Sequence, residues 1–504
     1  MSTAESPEVR TAAGAVRGRR EAGSAVFRGI PFAQPPVGEL RFAAPRPAPA
    51  WDGVREAAAF GPPPPQEPLG PPPPVTGDLP TGDDWLTVNV WSPEPDPAAH
   101  RPVLVWIYGG AYKLGSADDP GYDGGRLSRD GDVVVVTLNY RVGMEGFAHI
   151  DGAPANRGLL DQVAALEWVR ENITAFGGDP GKVTVFGESA GAGSIAALMA
   201  MPRARGLFRR AIAQSVPGTY FSPELAADIA TVLAGELGLR PTVADLSTVD
   251  PRKLTAAGAA VSGRMLQYGD RWGAVALTPT PYSPVVDGDI LPAAPWEALA
   301  AGAAREVELI AGHNRDEFRL FLALGGLLGQ VGEEQAGLAL RALGPTPGAE
   351  QSYRAAYPDA SAEQLFELVN SDWLFRMPSL HLAEAHVSGG GRAHFYELTW
   401  PSPAGLGACH GLDVPLTFGT FAGLGSELIG PTPTPEAEEL SARFRAAWTA
   451  FATTGDPGWA PYDAKDRLTQ LLDVERAVVP YPEEASRALW ENHVFAPLPL
   501  VARG

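Results

Sequence analysis

Cysteine is nearly absent: the 504 residues contain one, Cys409. A lone thiol excludes any disulfide within the chain and suits a reducing compartment. Long apolar runs are missing too, and no stretch reaches the ~18 uninterrupted apolar residues that a membrane-spanning helix needs. The opening Met1-Ser2-Thr3-Ala4-Glu5-Ser6-Pro7-Glu8 has neither a basic start nor an apolar centre, so no signal peptide is expected. These absences point to a cytoplasmic location without stable membrane association. Positive charge is also short. Lys and Arg number 39 against 59 Asp and Glu, a formal net charge of -20. Charge of that sign repels phosphate backbones, so nucleic acid is excluded as a partner. The acids are scattered and read as a solvated surface.

What the chain does have is apolar content, 45% of residues, enough to bury a large core. Its length would ordinarily divide into about three domains. No linker does so, and the expectation is a single domain over 1–504. The one low-complexity stretch, 61–80, is proline-rich and reads as a stiff surface excursion. Asn172-Ile173-Thr174 matches a glycosylation sequon; nothing else points to secretion, and we treat it as chance. Continuous apolar runs at Val103–Tyr108 and Asp132–Asn139 predict buried parallel strands, whose two faces must both be apolar. Leu159, Leu160, Val163, Leu166, Val169 and Ile173 form a helical stripe over 158–176. Further strands are expected at 182–186, 210–215, 306–312 and 393–399, with helical insertions at about 221–267 and 317–365. A closing helix is expected over 436–453, ended by Gly455-Asp456-Pro457. This alternation predicts an α/β fold with a doubly wound sheet.

Within that order lies Val185-Phe186-Gly187-Glu188-Ser189-Ala190-Gly191, a G-x-S-x-G nucleophile elbow between a strand and a small-residue helix. The sharp turn projects the serine hydroxyl from the sheet, and side chains at the glycines would collide with neighbouring strand and helix. A serine hydroxyl needs a base, a carboxylate to orient the base, and donors for the oxyanion. In an α/β-hydrolase they follow as Ser, Asp/Glu, His. Past the strand at 309–312 stand two adjacent acids, Asp316 and Glu317; spacing alone does not choose between them, and either could simply serve a helix N-terminus. Of the histidines beyond, His381 and His386 fall in a helical stretch and His394 opens a strand, which are packing or surface settings; His493 lies near the chain's end. His410 sits in a glycine-rich loop after a strand, where a base is well presented. Gly109-Gly110-Ala111 follows a strand and can supply oxyanion amides, with the amide of Ala190 as a further donor.

Several motifs together make this chain resemble the type-B carboxylesterases, the family that includes cholinesterases and bacterial p-nitrobenzyl esterases. Phe27–Gly38 resembles the family's N-terminal signature. Asp83–Trp91 resembles its acidic-Cys-Leu-Asn segment, and Asn139–Gly143 and Phe176–Pro180 also match. The resemblance implies an α/β-hydrolase fold: a large, mostly parallel twisted sheet, helices on both faces, and helical insertions over the active site. It maps the catalytic acid to Glu317, the histidine to His410 and the oxyanion donors to Gly110, Ala111 and Ala190. It matches Ser215 to a serine behind the active site, which with Glu188 would form a supporting hydrogen-bond set. There are departures. Trp85 replaces the family's disulfide cysteine, Tyr108 stands where many bacterial relatives carry His, and Phe318 replaces the glycine after the catalytic glutamate.

The expected function is therefore a broad-specificity serine carboxylesterase acting on small-molecule esters through an acyl-enzyme, with no metal and no organic cofactor. A pH profile rising through roughly 6 to 7 would reflect a histidine that must be neutral to act as base. An amidase or carbamate hydrolase with the same triad is the nearest alternative. A non-catalytic, neuroligin-like binding module is the remote one, since such relatives lose the nucleophile. Gly109-Gly110-Ala111-Tyr112 resembles the GGG(A)X oxyanion loop, which implies room for esters of tertiary alcohols unless Tyr112 or Glu145 fills the alcohol pocket.

Overall fold

An apolar run with no polar face is stable only where layers cover both sides. The computed structural model, which describes residues 6–66 and 82–501, places the chain's apolar runs in the centre of one large sheet. Its eleven strands are β1 (Arg19–Glu21), β2 (Ser24–Pro31), β3 (Thr87–Ser92), β4 (Arg101–Ile107), β5 (Val134–Leu138), β6 (Gly178–Glu188), β7 (Arg210–Gln214), β8 (Glu308–Asn314), β9 (Arg392–Leu398), β10 (Leu468–Leu472) and β11 (Ala477–Pro480). They lie in the order β11-β10-β9-β8-β7-β6-β4-β5-β3-β2-β1. From β10 across to β5 every pairing is parallel; the β10–β11 edge and the β5-β3-β2-β1 side are antiparallel. A separate three-stranded sheet joins Glu8–Arg10, Ala15–Arg17 and Val54–Glu56.

Alternate residues of β4 meet different layers. The Trp106 ring packs 4.9 Å from Phe186 and 5.1 Å from Phe418. The carbonyl of its neighbour Ile107 lies against Gly191 in the helix Ala190–Ala200. Val103, Leu104, Val105, Val134, Val135 and Val136 are wholly buried. Each such side chain contributes roughly 1.5–3 kcal/mol on burial. This is an α/β-hydrolase fold, a large mixed sheet with helices on both sides.

The topology fixes where a site can form. After β4 the chain builds β5 on one flank, then returns to place β6 on the other, with Ile107 opposite Gly187. A reversal of this kind opens a crevice beyond the carboxyl ends of β4 and β6. The elbow Glu188-Ser189 and the loop Gly109-Gly110-Ala111 both start there.

The expected elements are present with shifted ends. β5 begins at Val134, not Asp132, because Asp132 closes the helix Gly125–Gly131 in a left-handed conformation, φ 47°. The stripe over 158–176 is an α-helix at Arg157–Asn172 followed by a 3₁₀ turn at Ile173–Phe176. The 221–267 insertion contains helices Pro223–Gly235, Val243–Leu246 and Pro251–Ser262. The 317–365 stretch breaks into Arg319–Leu324, Glu333–Leu343, Ala349–Ala356 and the start of Ala362–Ser371. The closing helix, Pro435–Thr454, is capped by Thr434 and stopped by Gly455 at φ 80°. Of the proline-rich stretch, 67–80 lies outside the described residues. In 61–66, Gln66 exchanges hydrogen bonds with both backbone groups of Gly115, and the Pro62 carbonyl accepts from Asn139 Nδ2. Among the described residues no helix is long and apolar enough to cross a membrane.

Candidate active site

Strand β6 ends at Glu188, and Ser189 turns the chain at φ 57°, ψ -125° before the helix Ala190–Ala200. That is a costly region for a residue with a Cβ. The flanking positions cannot carry side chains: a Cβ on Gly187 would lie 2.5 Å from the Ile107 carbonyl oxygen, and one on Gly191 would lie 2.0 Å from it. The elbow is held from behind, where the Ser189 amide donates to the Gln214 carbonyl at 2.9 Å.

The loop after β4 runs directly against the elbow. A Cβ on Gly109 would sit 2.9 Å from Glu188 Oε2 and 3.0 Å from Ser189 Cβ. Gly110, Ala111 and Tyr112 all have positive φ, at 111°, 55° and 57°. The loop keeps this shape because Lys113 and Leu114 donate to the Gly110 carbonyl and Gly143 donates to that of Tyr112. Among the described residues the Gly110 and Ala111 amides donate to no protein acceptor. Ala190 opens its helix, so its amide lacks an intrahelical acceptor as well. The three candidate oxyanion donors are therefore uncommitted.

Tyr108, the departure at the end of β4, is a brace. Its ring stacks on Tyr140 at 4.3 Å, its hydroxyl donates to the Tyr140 carbonyl at 3.0 Å, and the Tyr140 hydroxyl donates back to the Tyr108 carbonyl at 2.7 Å. Tyr112 is buried against Phe147 and the elbow helix, where a Cβ on Gly193 would lie 2.3 Å from its hydroxyl. Glu145 is buried in an ion pair with Arg41 at 2.6 Å. Both of the side chains named above as possible plugs of the alcohol pocket are thus held by other partners.

The candidate acid and base meet where β8 and β9 run out into loops. His410 Nδ1 lies 2.6 Å from Glu317 Oε2. Glu317 is wholly buried, and its other oxygen accepts from Ser215 Oγ at 2.5 Å and the Asn314 amide at 2.8 Å. Asp316 does something else. Its carboxylate accepts from the Ala408 amide at 2.8 Å, and its own amide donates to the Ala408 carbonyl at 2.9 Å. Asn314 Nδ2 donates to the Cys409 carbonyl at 2.8 Å, and the His410 amide donates to the Glu317 carbonyl at 3.2 Å. Asn314, Asp316 and Glu317 are thus stitched to Cys409, Ala408 and His410. The two adjacent acids divide the work: Glu317 faces the imidazole and Asp316 holds the backbone that carries it.

The second ring nitrogen, His410 Nε2, is turned toward the elbow and lies 3.0 Å from Glu188 Oε1, off the alignment of a hydrogen bond. Burial pushes Glu188 up to about 8, against the pull of His410. Burial alone would lower His410, but the Glu188 and Glu317 carboxylates more than reverse it and lift the imidazole to about 9. A third buried acid, Asp413, accepts from Gln214 Nε2 at 2.7 Å and the Tyr396 hydroxyl at 3.0 Å. Burial pushes it up as well.

Sequence reasoning missed Asn314, Gln214, Asp413 and two aromatic rings. Phe375 stacks on the His410 ring at 4.1 Å and Phe321 lies 5.2 Å away. No local pattern marks either ring; both come from inserted helices. Of the other histidines, His386 and His394 are buried and His381 packs edge-on against Phe495. His493 also packs on Phe495, at 4.6 Å. Burial pushes the Cys409 thiol up to about 12, so it is an unreactive neighbour of His410. Among the described residues no group of three or more His, Cys, Asp or Glu could hold a metal ion.

Comparison with known proteins gives the chain its family. The model described as "Carboxylesterase family" matches residues 5–480. The para-nitrobenzyl esterase of Bacillus subtilis (strain 168) is 38% identical over 492 residues, spanning 95% of this chain and 97% of that protein. Human carboxylesterase 3 is 35% identical over 520 residues, spanning 94% of this chain and 88% of that protein. Among solved structures, a thermophilic PNB esterase superposes with a TM-score of 0.85 at 37% identity, covering 96% of this chain and all (100%) of the other. The Geobacillus stearothermophilus carboxylesterase EST55 gives 0.83 at 36%, covering 96% and 99%.

Proposed function

The chain belongs to the carboxylesterase family and is a carboxylic ester hydrolase, and from that premise we propose that Ser189, His410 and Glu317 are its catalytic triad. The observation that carries the assignment is the 2.6 Å contact of His410 Nδ1 with buried Glu317, on a loop whose other ring nitrogen faces the elbow. Ser189 Oγ attacks the ester carbonyl while His410 Nε2 takes its proton. The tetrahedral oxyanion is held by the amides of Gly110, Ala111 and Ala190, donors already fixed in place before charge develops. His410 then returns the proton to the leaving alcohol, and a water repeats the sequence on the acyl-enzyme. Glu317 keeps the imidazole in the tautomer with Nδ1 protonated and stabilises the imidazolium. Ser215 and the Asn314 amide hold Glu317 from behind.

Glu188 acts on the same imidazole through its charge. It disfavours the free base but stabilises the imidazolium of the transition state. The wider reading is one catalytic unit over the whole chain, acting on small esters in the cytoplasm. The single buried thiol and Trp85 in place of a disulfide cysteine support that location. The test is Ser189→Ala, together with a phosphonate ester that labels the active serine. Ester turnover should vanish while the far-ultraviolet spectrum stays native, and the label should map to Ser189. A label on Ser215 or Ser194, or residual turnover in the variant, overturns the assignment. Matched ester and anilide substrates then separate an esterase from an amidase.

A further inference from the structure

The helix carrying Phe375 is not regular. Between Ala362–Ser371 and Met377–Ser388 the chain makes one turn of π-helix, Asp372–Arg376. Such a turn is less stable than the α-helix it interrupts and recurs at functional sites. Here every residue of the turn is buried. The turn carries Phe375 against the face of His410 and directs Arg376 and Asp372 away from it.

Those two residues are gripped by the end of the chain. Asp372 Oδ2 accepts from Ser486 Oγ at 2.5 Å and from the Tyr353 hydroxyl at 2.7 Å, and Trp490 Nε1 donates to that hydroxyl at 2.6 Å. Arg376 pairs with Asp372 at 3.2 Å and donates to Glu483 Oε2 at 2.8 Å. Its other arm donates to the Arg315 carbonyl at 3.3 Å, on the loop that carries Glu317. One guanidinium therefore ties three segments: the π-turn that carries Phe375, the acid loop, and residues 483–490. Nothing in these contacts touches the reacting atoms. They fix the elements on which Phe375 and Glu317 ride.

We propose that Arg376 is a positioning residue for His410, and that the Glu483–Trp490 segment is the latch that holds it. The imidazole must keep Nδ1 on Glu317 while Nε2 moves a proton between serine and leaving group. A ring held at one face by a stacked phenyl rotates out of that plane only by giving up the stack. A stacked aromatic face also favours the imidazolium over the neutral ring. Loosening the latch should therefore slow proton transfer and lower the pH at which His410 becomes a free base, without disturbing substrate binding.

The inference rests on the triad reading, and its test keeps the two apart. Arg376 is too deeply buried to substitute safely, so the latch is altered at the partners it and Asp372 hold on the terminal segment, Glu483 and Ser486. Glu483→Gln removes the charge at constant size, Glu483→Asp restores it, and Ser486→Ala loosens the Asp372 side. Glu484→Gln, in the same segment, breaks only the pair with Arg487, exposed on the carboxylate side, and serves as the control. Steady-state hydrolysis of p-nitrophenyl acetate is measured across pH beside thermal unfolding. For Glu483→Gln we expect kcat to fall about 3- to 10-fold with KM within about twofold, and the acid limb to move down in pH. Glu483→Asp recovers part of the loss, Ser486→Ala moves in the same direction, and Glu484→Gln matches wild type. The pH limb belongs to His410, which is faced by Glu317, Glu188 and Asp413. Arg376 is faced by Asp372, Glu483, Glu397, Arg315, Tyr481 and His313, none of which contacts the imidazole. A Glu483→Gln protein that unfolds at lower temperature but keeps wild-type kcat and pH limb overturns the inference and leaves the triad standing. If Glu483→Gln does not fold, the same readouts on Ser486→Ala decide. A wild-type enzyme that hydrolyses no ester, or hydrolyses it without Ser189, overturns the triad reading and this inference with it.

Discussion

Replacing Glu188 with Gln should shift the acid limb of the pH profile downward while lowering its plateau, because one charge acts on both. Glu188 Oε1 lies 3.0 Å from His410 Nε2 in a buried setting. Coulomb's law at that separation gives about 1.4 kcal/mol with the dielectric of water and about 5.5 kcal/mol at an effective dielectric of 20. At about 1.36 kcal/mol per pH unit, these bracket a shift of about 1 to 4 units. The true value lies toward the lower end, since burial holds Glu188 itself up at about 8 and so keeps it mostly neutral below that pH. The sign follows from the pair: removing a negative neighbour disfavours imidazolium, His410 falls from about 9, and the free base appears at lower pH. The ordinary histidine range of roughly 6 to 7 then describes the variant better than the wild type. The transition state contains the imidazolium, so losing about 1.4 kcal/mol of its stabilisation should cost the plateau kcat about tenfold. The assay is p-nitrophenyl acetate hydrolysis from about pH 5 to 9.5, read at the p-nitrophenol isosbestic wavelength, with kcat/KM reporting the free enzyme. An acid limb that stays within about 0.3 unit of wild type would refute the electrostatic argument, whatever happens to the plateau.

Loss of His410 should cost on the order of 10⁴-fold in kcat, and Glu317→Gln a comparable or smaller factor; a smaller loss for His410 than for Glu317 would reverse the roles. Asp316→Asn keeps an acceptor for the Ala408 amide and should retain most activity, whereas Asp316→Ala should lower kcat as the His410 loop loosens. Equal kinetics for the two variants would mean that the hydrogen bond to Ala408 does not matter. Esters of tertiary alcohols should be cleaved, because Tyr112 and Glu145 are both held by other partners. Product from tert-butyl acetate, slower than from ethyl acetate, is expected, and none above a Ser189→Ala control counts against the open pocket. Stability should fall as pH rises above neutral. Buried His313 and half-buried His381 and His493 are pushed down to about 3, 4 and 4, so below the ordinary histidine range these three favour the unfolded chain and add nothing above it. Glu188 and Glu367 are raised from 4.5 to about 8 and 7, and His410 from 6.5 to about 9, so between each pair of values the folded chain binds more protons and stability falls as pH rises. A Tm that climbs steadily from about pH 7 to 9 would contradict this.

What could be read from the sequence was whatever is local. A fully buried parallel strand announces itself as an apolar run, which is why β4 through β9 were found in order. The elbow is a backbone motif whose glycines are imposed by the Ile107 carbonyl a few ångströms away, so it too is written in consecutive residues. The antiparallel strands β1 to β3 carry weaker marks: β2 shifts register between Phe27 and Ile30. β11 is only half-buried or exposed along its length. Charge environment was the least legible. Glu188 is fixed in the sequence beside Ser189, yet nothing in the order of residues places it 3.0 Å from a histidine more than two hundred positions later. Only the convergence of β6 and the His410 loop beyond the carboxyl ends of the central strands does that. The same is true of Phe375, whose ring reaches His410 through a π-turn that the sequence does not mark.

Asp316 and Glu317 show how such an ambiguity is resolved physically. Both acids follow β8, and both could have faced the imidazole. A carboxylate that orients a histidine must be buried and hydrogen-bonded on its far side, or it will prefer a proton or water to the ring. Glu317 meets that condition: it is wholly buried, with Ser215 and the Asn314 amide on one oxygen and His410 on the other. Asp316 is half-buried and already occupied, with the Ala408 amide at 2.8 Å and the Arg315 guanidinium at 3.1 Å. It cannot turn to His410 without releasing the loop that holds His410 in place. The adjacent acids are therefore not interchangeable candidates for one role. One faces the imidazole, and the other holds the loop on which the imidazole stands.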